Sequence, residues 1–495
     1  MRLNQLLAGV ALTERRVGDV ECSGICYDTR TMEPGCLFVA LPGYKTDGHK
    51  YIAQALEQGA AAVLCQHPPE GEGPWLVTPD ARAALAAVSA NWFGHPARDL
   101  TLLAVTGTNG KTTTTYLLKA MLEGVLGARV GLIGTNQNMI GDEVLPAHRT
   151  TPESYEVQQL LREMADAGCT HVVMEASSHA LVLHRLDGLR FRAGIFTNLT
   201  QDHLDFHGTM EAYRDAKGLL FRQSDTAVLN LDDEAGRYFA RTVAVPRLTY
   251  SERRDEADLT AKNLRLFHDR VEFEAVAAGA ISRVRLPIPG GFTVYNALGV
   301  LTCGLALGLP LADCADALAK APGVKGRIEV VPVPADFAVI IDYAHTPDAL
   351  ENILTTVRDF TAGRVICLFG CGGDRDRTKR PQMGAIAGSL ADVAVVTSDN
   401  PRTEDPWAIL EDILAGMGGP GGEIHIEPDR PQAIRWALAQ GRPGDVIVLA
   451  GKGHETYQEV NGVQYPMDER EIVAEYFEKQ AKRRERAGNF PAGVV

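Results

Sequence analysis

At 495 residues the chain has room for about three domains of ordinary size, each able to bury its own core. Apolar residues at 45% and charged ones at 23% are globular proportions, and no apolar stretch approaches the roughly 20 residues that a bilayer-spanning helix needs. The formal charge of -14, from 49 basic and 63 acidic residues, argues against a nucleic-acid or anionic-membrane surface, and nine cysteines without C-x-x-C spacing indicate neither a disulfide framework nor a structural zinc site, so a reducing cytoplasm is expected.

The apolar run Leu6 to Leu12 reads as the start of an amphipathic helix. Residues 1–98 then alternate short elements: strands at Cys36 to Leu41 and Ala61 to Leu64, with a helix over Tyr51 to Gly59 between them. Asp28-Thr29-Arg30 precedes the first strand and Pro42-Gly43-Tyr44-Lys45-Thr46-Asp47-Gly48 follows it. These polar loops suit a sugar nucleotide, with Arg30 on a phosphate, and suit solvated turns equally well. Gly94, Pro96 and the charges of Asn91 to Asp99 read as a linker.

A second domain, 99–335, opens on Leu102-Leu103-Ala104-Val105, a buried parallel strand, and then Gly107-Thr108-Asn109-Gly110-Lys111-Thr112-Thr113 leading into a helix. Glycines let backbone N–H groups close around a phosphate, the helix N-terminus adds a positive dipole end, Lys111 brings charge to the terminal phosphates and Thr112 is placed to reach phosphate-bound Mg²⁺. The spacing departs from G-x-x-x-x-G-K-[ST], because Val105 stands where the first glycine would be. Strands at Arg129 to Ile133, Thr170 to Met174 and Phe191 to Phe196, with helices between, complete a doubly wound α/β pattern.

Glu175 follows one of these strands, where ligands bind in such sheets, and is a candidate for a hard oxygen-seeking cation or a strand-end acid facing water. Asp202, His203, Asp205 and His207 lie just past another strand end, where one of them could touch a metal, although a lone histidine is more often a hydrogen-bonded structural residue. On the helix Met210 to Gln223, Lys217 points with the apolar stripe of Tyr213, Leu220 and Phe221; it either snorkels to water or faces a cleft in an altered chemical form. Antiparallel strands are expected over Leu264 to Val276 and Ser282 to Leu286, a small-residue helix with Asn296 near its start, and a second linker over Val330 to Asp336.

Residues 336–495 repeat one design. Four apolar strands end in polar or glycine-rich loops: Asp342-Tyr343-Ala344-His345, Gly370 to Arg377, Ser398-Asp399-Asn400-Pro401-Arg402 and Gly451-Lys452-Gly453-His454-Glu455. In an open α/β sheet, four such ends form one continuous ligand-binding edge. The charged stretch Glu478 to Arg486 reads as a solvated helix end.

Taken together, Gly107 to Thr112, Met174-Glu175-Ala176-Ser177-Ser178-His179, Thr197-Asn198-Leu199 with Asp202-His203-Leu204-Asp205, Ala216-Lys217 and Asp342-Tyr343-Ala344-His345 resemble the Mur ligases of peptidoglycan synthesis over essentially the whole chain. Within them, Asp399-Asn400-Pro401-Arg402 is similar to the motif of members that add meso-2,6-diaminopimelate to UDP-N-acetylmuramoyl-L-alanyl-D-glutamate. The resemblance implies three α/β domains: a small N-terminal one (1–98) for the UDP-substrate, a central P-loop-type, mostly parallel one (99–335) for ATP, and a Rossmann-like C-terminal one (336–495) for the amino acid. It implies an ATP-dependent, ADP-forming amide ligase acting through an acyl phosphate in the cytoplasm, as a monomer without nucleic-acid or stable membrane partners.

On the family pattern ATP meets Gly107, Thr108, Asn109, Gly110, Lys111, Thr112, Thr113, Asn296, Arg327 and Asp342, and Lys111, Glu175, His203 and Lys217 are catalytic. Thr112 and Glu175 bind one Mg²⁺, while His203 and a carbamylated Lys217 hold a second. Thr29, Arg30, Tyr44, Lys45 and Thr46 match the uridine region; Thr150, Thr151, Ser177 and Arg185 match the muramoyl-dipeptide contacts, with Leu183 where a polar residue is often found. Arg375, Asp399, Asn400, Pro401, Arg402, Gly451 and Glu455 match the diaminopimelate site. Diaminopimelate differs from lysine by a carboxylate at its far end, which a bidentate arginine recognises, and Arg402 is the candidate. Rivals are a lysine-adding sibling, a folylpolyglutamate synthase, and a nucleotide-dependent switch whose conformation matters more than turnover.

Overall fold

The computed structural model describes residues 1–43, 46–418 and 422–488, so Tyr44 and Lys45 of the expected uridine region lie outside the described residues. The chain divides into two compact units, one of Met1–Thr260, Val276–Ile281 and Tyr295–Ala317, the other of Ala261–Ala275, Ser282–Val294 and Leu318–Val495. No helix among the described residues is long and apolar enough to cross a membrane.

The first unit holds a small sheet and the parallel part of a large one. In the small sheet Glu14–Arg15, Trp75–Val77, Ala62–Cys65, Leu37–Val39 and Ile25–Cys26 lie side by side, all parallel except the antiparallel edge Glu14–Arg15. Leu37, Val39, Leu64 and Leu76 pack with Leu85 and Val88 on one face, and Phe38, Val63 and Trp75 with Ile52 and Ala55 on the other. The first helix is Leu3–Leu6, earlier than the apolar run suggested, because Leu3 and Leu6 are the pair that enters this core.

In the large sheet Thr101–Thr106 runs parallel between His171–Glu175 and Phe191–Phe196, flanked by Val130–Ile133 on one side and by Ala227–Asn230 and Arg247–Ser251 on the other. Leu102 to Thr106 are buried throughout, the signature of a strand covered on both faces. Register sets Glu175 beside Val105 and Phe196 beside Thr106, so the loops after these three strands open at one edge. The expected linker Asn91 to Asp99 is more ordered than its composition suggested: the helix Ala81–Trp92 runs into it and a 3₁₀ turn follows at Pro96–Asp99. Leu264 to Val276 is broken at a polar turn, where Phe267 N–H donates to Arg270 O, into strands Leu259–Leu266 and Val271–Ala277.

The second unit's C-terminal sheet orders Glu329–Val331, Ala338–Asp342, Val446–Ala450, Val365–Phe369, Val393–Val396 and Glu423–Ile426. All pairs are parallel except the first. The expected linker Val330 to Asp336 therefore begins as an edge strand, its backbone satisfied by Val339 to Ile341. The four strands with polar ends are immediate neighbours, which brings their loops to one edge.

Candidate functional site

Gly107 and Gly110 are where the loop Gly107 to Lys111, the expected phosphate loop, meets its surroundings. A Cβ on Gly107 would lie 1.8 Å from Thr197 Oγ1, and one on Gly110, whose φ is +85°, would lie 2.5 Å from Asn296 Oδ1. The loop is held from the Phe196 strand end: Asn198 Oδ1 accepts from Asn109 N (2.9 Å), Asn198 O from Thr108 N (2.9 Å), and Thr197 Oγ1 donates to Asn109 O (2.6 Å). The helix Lys111–Leu126 starts directly after it, so its dipole end and the first-turn N–H groups, which have no acceptor within the helix, face the loop. Lys111 Nζ rests on the carbonyls of Gly107 (2.9 Å) and Thr108 (2.8 Å). Thr113 is buried, and Asn296 Oδ1 accepts from Thr114 Oγ1 (3.3 Å) while its Nδ2 is buried with no hydrogen-bond partner. A buried donor left unsatisfied beside this glycine-bearing loop fits a ligand acceptor.

Glu175 does not face water: it is fully buried. Thr112 Oγ1 donates to its Oε1 (3.0 Å), Thr135 N–H to the same oxygen (2.8 Å), and Thr135 Oγ1 to Oε2 (3.0 Å). A hydroxyl and a carboxylate side by side at the loop's helix are the hard oxygen donors that Mg²⁺ prefers. Forty residues separate Thr135 from Glu175, so no local motif in the sequence links them.

Tyr213 ties the remaining predicted residues together. Its hydroxyl lies 3.3 Å from Thr108 Oγ1, its ring is 6.1 Å from that of His203, and Lys217 Nζ sits 4.3 Å from its centroid. Lys217 is 1% exposed, so the snorkelling expectation fails. Burial above all, and then Lys111, drive its pKa well below the usual lysine value, with Asp202 and Asp233 opposing. His203 takes φ +53° at the start of the short helix Leu204–His207, its ring edge-on to His179 at 4.8 Å. His207 stacks on Tyr213 (4.9 Å) and sits 2.9 Å from Ser178 Oγ; burial, and then the neighbouring His179, Lys217 and His203, push its pKa down to about 4.

Thr150, Thr151, Ser177 and Arg185 do converge. Thr151 Oγ1 donates to Glu175 O (2.7 Å) and Ser177 Oγ (3.2 Å), Thr150 Oγ1 lies 3.1 Å from Thr135 Oγ1, and Arg185 Nη1 donates to Thr151 O (3.0 Å). Glu153, nearly buried, pairs with Arg82 (3.2 Å), Arg185 (3.3 Å) and Arg149 (3.6 Å). Three guanidinium groups around one carboxylate leave a positive excess suited to an anionic substrate. Leu183 is the C-cap of Ser178–Val182, a helix that Ser177 caps at its N-terminus. In the N-terminal sheet region the picture is looser: Arg30 is exposed and paired with Asp28, Thr29 Oγ1 lies 3.4 Å from Gln54, and Thr46 Oγ1 lies 3.4 Å from Tyr51 OH.

In the second unit Asp342 Oδ2 accepts from Ile328 N (2.8 Å), and burial raises its pKa against the pull of Arg327. Arg327 lies over the Tyr343 ring at 5.0 Å, its Nε buried without a hydrogen-bond partner. On the neighbouring strand ends, Asn400 Nδ2 donates to Glu455 Oε2 (3.0 Å), and Arg402 Nη1 to Gly373 O (2.8 Å). A Cβ on Gly372 would meet Arg402 Nη1 at 2.9 Å and Arg375 Cγ at 3.8 Å, so both arginines flank that glycine. Pro401 O packs so closely on Gly373 that a Cβ there would lie 1.9 Å away. Gly451, at φ +112°, turns the chain beside Asp399.

Lys452, absent from the expected site, joins these residues. Fully buried, its Nζ donates to Asn400 Oδ1 (2.5 Å), Tyr457 O (2.6 Å) and Glu455 Oε2 (3.1 Å) and lies 3.6 Å from Asp399 Oδ1. That Asp399 oxygen is buried and has no hydrogen-bond partner, an acceptor suited to a ligand ammonium. Flanking glycines made Lys452 look like part of a turn; its position inside a loop of charged residues was the available signal.

Three family models match the chain: the Mur ligase family catalytic domain over residues 21–91, the Mur ligase middle domain over 105–304, and the Mur ligase glutamate ligase domain over 326–453. The chain is 44% identical over 482 residues to the UDP-N-acetylmuramoyl-L-alanyl-D-glutamate–2,6-diaminopimelate ligase of Clostridium botulinum, covering 96% of this chain and 99% of that one. It is 45% identical over 485 residues to the ligase of the same name from Caldanaerobacter subterraneus, covering 97% and 100%. A solved structure of such a diaminopimelate ligase superposes with a TM-score of 0.69 at 34% identity, covering 93% and 95%. MurF from Acinetobacter baumannii shares the fold, with a TM-score of 0.62 at 20% identity over 96% and 98%.

Proposed function

The chain belongs to the Mur ligase family, and from that premise we propose that it joins meso-2,6-diaminopimelate to the D-glutamyl carboxylate of UDP-N-acetylmuramoyl-L-alanyl-D-glutamate, converting ATP to ADP and phosphate. Residues 1–98 are assigned to the UDP-substrate, 99–335 to ATP and 336–495 to the amino acid, in a cytoplasmic monomer making peptidoglycan precursor.

A carboxylate is a poor electrophile, and the anionic γ-phosphate repels it. Gly107 to Thr113 would cradle the phosphates, Lys111 would leave the loop carbonyls for the γ-phosphate, and Asn296, Arg327 and Asp342 would hold adenine, phosphate and ribose. Magnesium held by Thr112 and Glu175, with a second ion at His203 and carbamylated Lys217, supplies charge neutralisation when bound. Lys217 fits carbamylation because CO₂ adds to a neutral amine, and burial favours the neutral form. The D-glutamyl oxygen attacks the γ-phosphorus as the bond to ADP breaks; the neutral amine then attacks the acyl carbon, and phosphate leaves with the electron pair of the C–O bond and takes up the proton that the nitrogen loses. Thr150, Thr151, Ser177 and Arg185 would hold the muramoyl dipeptide, and Thr29, Arg30, Tyr44, Lys45 and Thr46 its uridine end. Arg402 and Arg375 would meet the far carboxylate of diaminopimelate, and Asp399, Asn400 and Glu455 its ammonium, beside Pro401 and Gly451.

The observation that carries the reading is the buried Thr112–Glu175 pair at the mouth of the phosphate loop. Phosphate release tests it: a ligase releases phosphate at a sustained rate only with both the UDP-dipeptide and diaminopimelate present. Turnover with neither would instead mark a nucleotide-driven switch.

A further inference from the structure

Beside the loop of Asp399 to Arg402 stands a two-stranded hairpin, Tyr457–Val460 and Val463–Pro466, closed by Asn461-Gly462 with φ of +50° and +76°. Asn-Gly with two positive φ values is the tight turn that matches strand twist, so the hairpin is well defined locally. Its first strand and turn touch three members of the amino-acid loop, Asp399, Asn400 and Arg402. Gln458 Nε2 donates to Asp399 O (2.7 Å), Glu459 N–H donates to Asn400 Oδ1 (2.9 Å), and Arg402 is bonded on both sides, its N–H to Glu459 O (3.1 Å) and its carbonyl from Asn461 N–H (2.7 Å). Arg402 itself sits at φ +52°, a conformation that side-chain-bearing residues rarely hold unless their surroundings impose it.

The side chains continue the pattern. Arg402 Nε donates to Glu459 Oε2 (3.2 Å) and Nη1 to Gly373 O (2.8 Å). With both ends of the guanidinium fixed, its plane cannot turn, and the edge shared by Nη1 and Nη2 is what remains for a bidentate carboxylate. The geometry points to the Tyr457–Pro466 hairpin, through Glu459, as the element that aims Arg402 and so sets the preference for an amino acid with a carboxylate at its far end. Glu459 is a positioning residue: it acts through Arg402 and does not touch the reacting atoms. The inference rests on the function proposed above.

The test compares wild type, Glu459→Ala, Glu459→Gln and Gln458→Ala in ATP-dependent ligation with diaminopimelate and with lysine. Losing a hydrogen bond to a charged group raises the KM for diaminopimelate about tenfold in Glu459→Ala and lowers the diaminopimelate-to-lysine preference by a similar factor. The kcat and the KM for the UDP-substrate stay within about twofold, since the change acts on amino-acid binding alone. Glu459→Gln, whose amide oxygen still accepts from Nε, recovers most of the loss, and Gln458→Ala raises the same KM severalfold should the alanine variant at Glu459 fold poorly. An unchanged KM and preference in Glu459→Ala, or an equal loss toward the UDP-substrate, overturns the inference. If wild type itself ligates no diaminopimelate, the functional reading fails first.

Discussion

Thr112 and Glu175, separated by 63 residues, meet through a 3.0 Å hydrogen bond at the start of the helix that follows the loop Gly107 to Gly110. Because Glu175 is fully buried and takes two further bonds from Thr135, its orientation is fixed before any ligand arrives. Glu175→Gln keeps the shape and removes the charge. It is expected to lower kcat by about a hundredfold or more, as loss of a preorganised electrostatic group does, and to raise the Mg²⁺ concentration needed for half-maximal rate. A magnesium titration of both proteins checks this; superimposable curves would remove Glu175 from metal binding.

Gly110 carries a second prediction. Alanine there combines a left-handed φ of +85° with a Cβ 2.5 Å from Asn296 Oδ1. The strain alone is about 1–2 kcal/mol, and Asn296 must move as well. Gly110→Ala should weaken ATP binding by at least about tenfold while leaving affinity for the UDP-substrate intact, which calorimetric titration of each ligand resolves.

Lys452 should matter to stability and site alike. Removing one partner from a buried charge cluster typically costs about 3–5 kcal/mol, and Lys452→Met leaves Asp399 and Glu455 without their cation. Adding Glu455→Gln to that variant should restore part of the loss in urea unfolding. Additive effects of the two substitutions would show that the pair is not coupled.

Acid stability is expected to depend on Glu404. Its hydrogen bonds from the fully buried Arg380, and then from Asp374 N–H, lower its pKa from 4.5 to about 2. Between those values the unfolded chain binds the proton and the folded protein does not. The contribution is therefore complete above 4.5 and disappears as pH falls toward 2. Stability measured from about pH 5 down to about pH 3 should fall less steeply in Glu404→Gln than in wild type; parallel curves would contradict the assignment.

Much of this architecture was legible in the sequence because buried parallel strands are continuous apolar runs. Leu102 to Val105 and Val446 to Ala450 each announce a strand, and the polar residues that follow mark its ligand-facing end. What could not be read depends on partners brought in from a distance. Lys217 looked like a surface lysine with an apolar stem until Tyr213 and the surrounding core buried it. Thr135 became a Glu175 partner only through strand register, and Val330 read as linker because its antiparallel neighbour lies ten residues along the chain, at Ile340. Lys452 and the Asn461-Gly462 hairpin carried local turn signals that say nothing about what the turn packs against.

The most direct measurement is mass analysis of the product when purified protein, ATP, Mg²⁺ and UDP-N-acetylmuramoyl-L-alanyl-D-glutamate are offered a panel of amino acids, with wild type beside Arg402→Ala. The account predicts one tripeptide product, carrying diaminopimelate, formed with equal amounts of ADP and phosphate and lost in the variant. Equal incorporation of lysine, or an Arg402→Ala protein that still incorporates diaminopimelate at the wild-type rate, would contradict it.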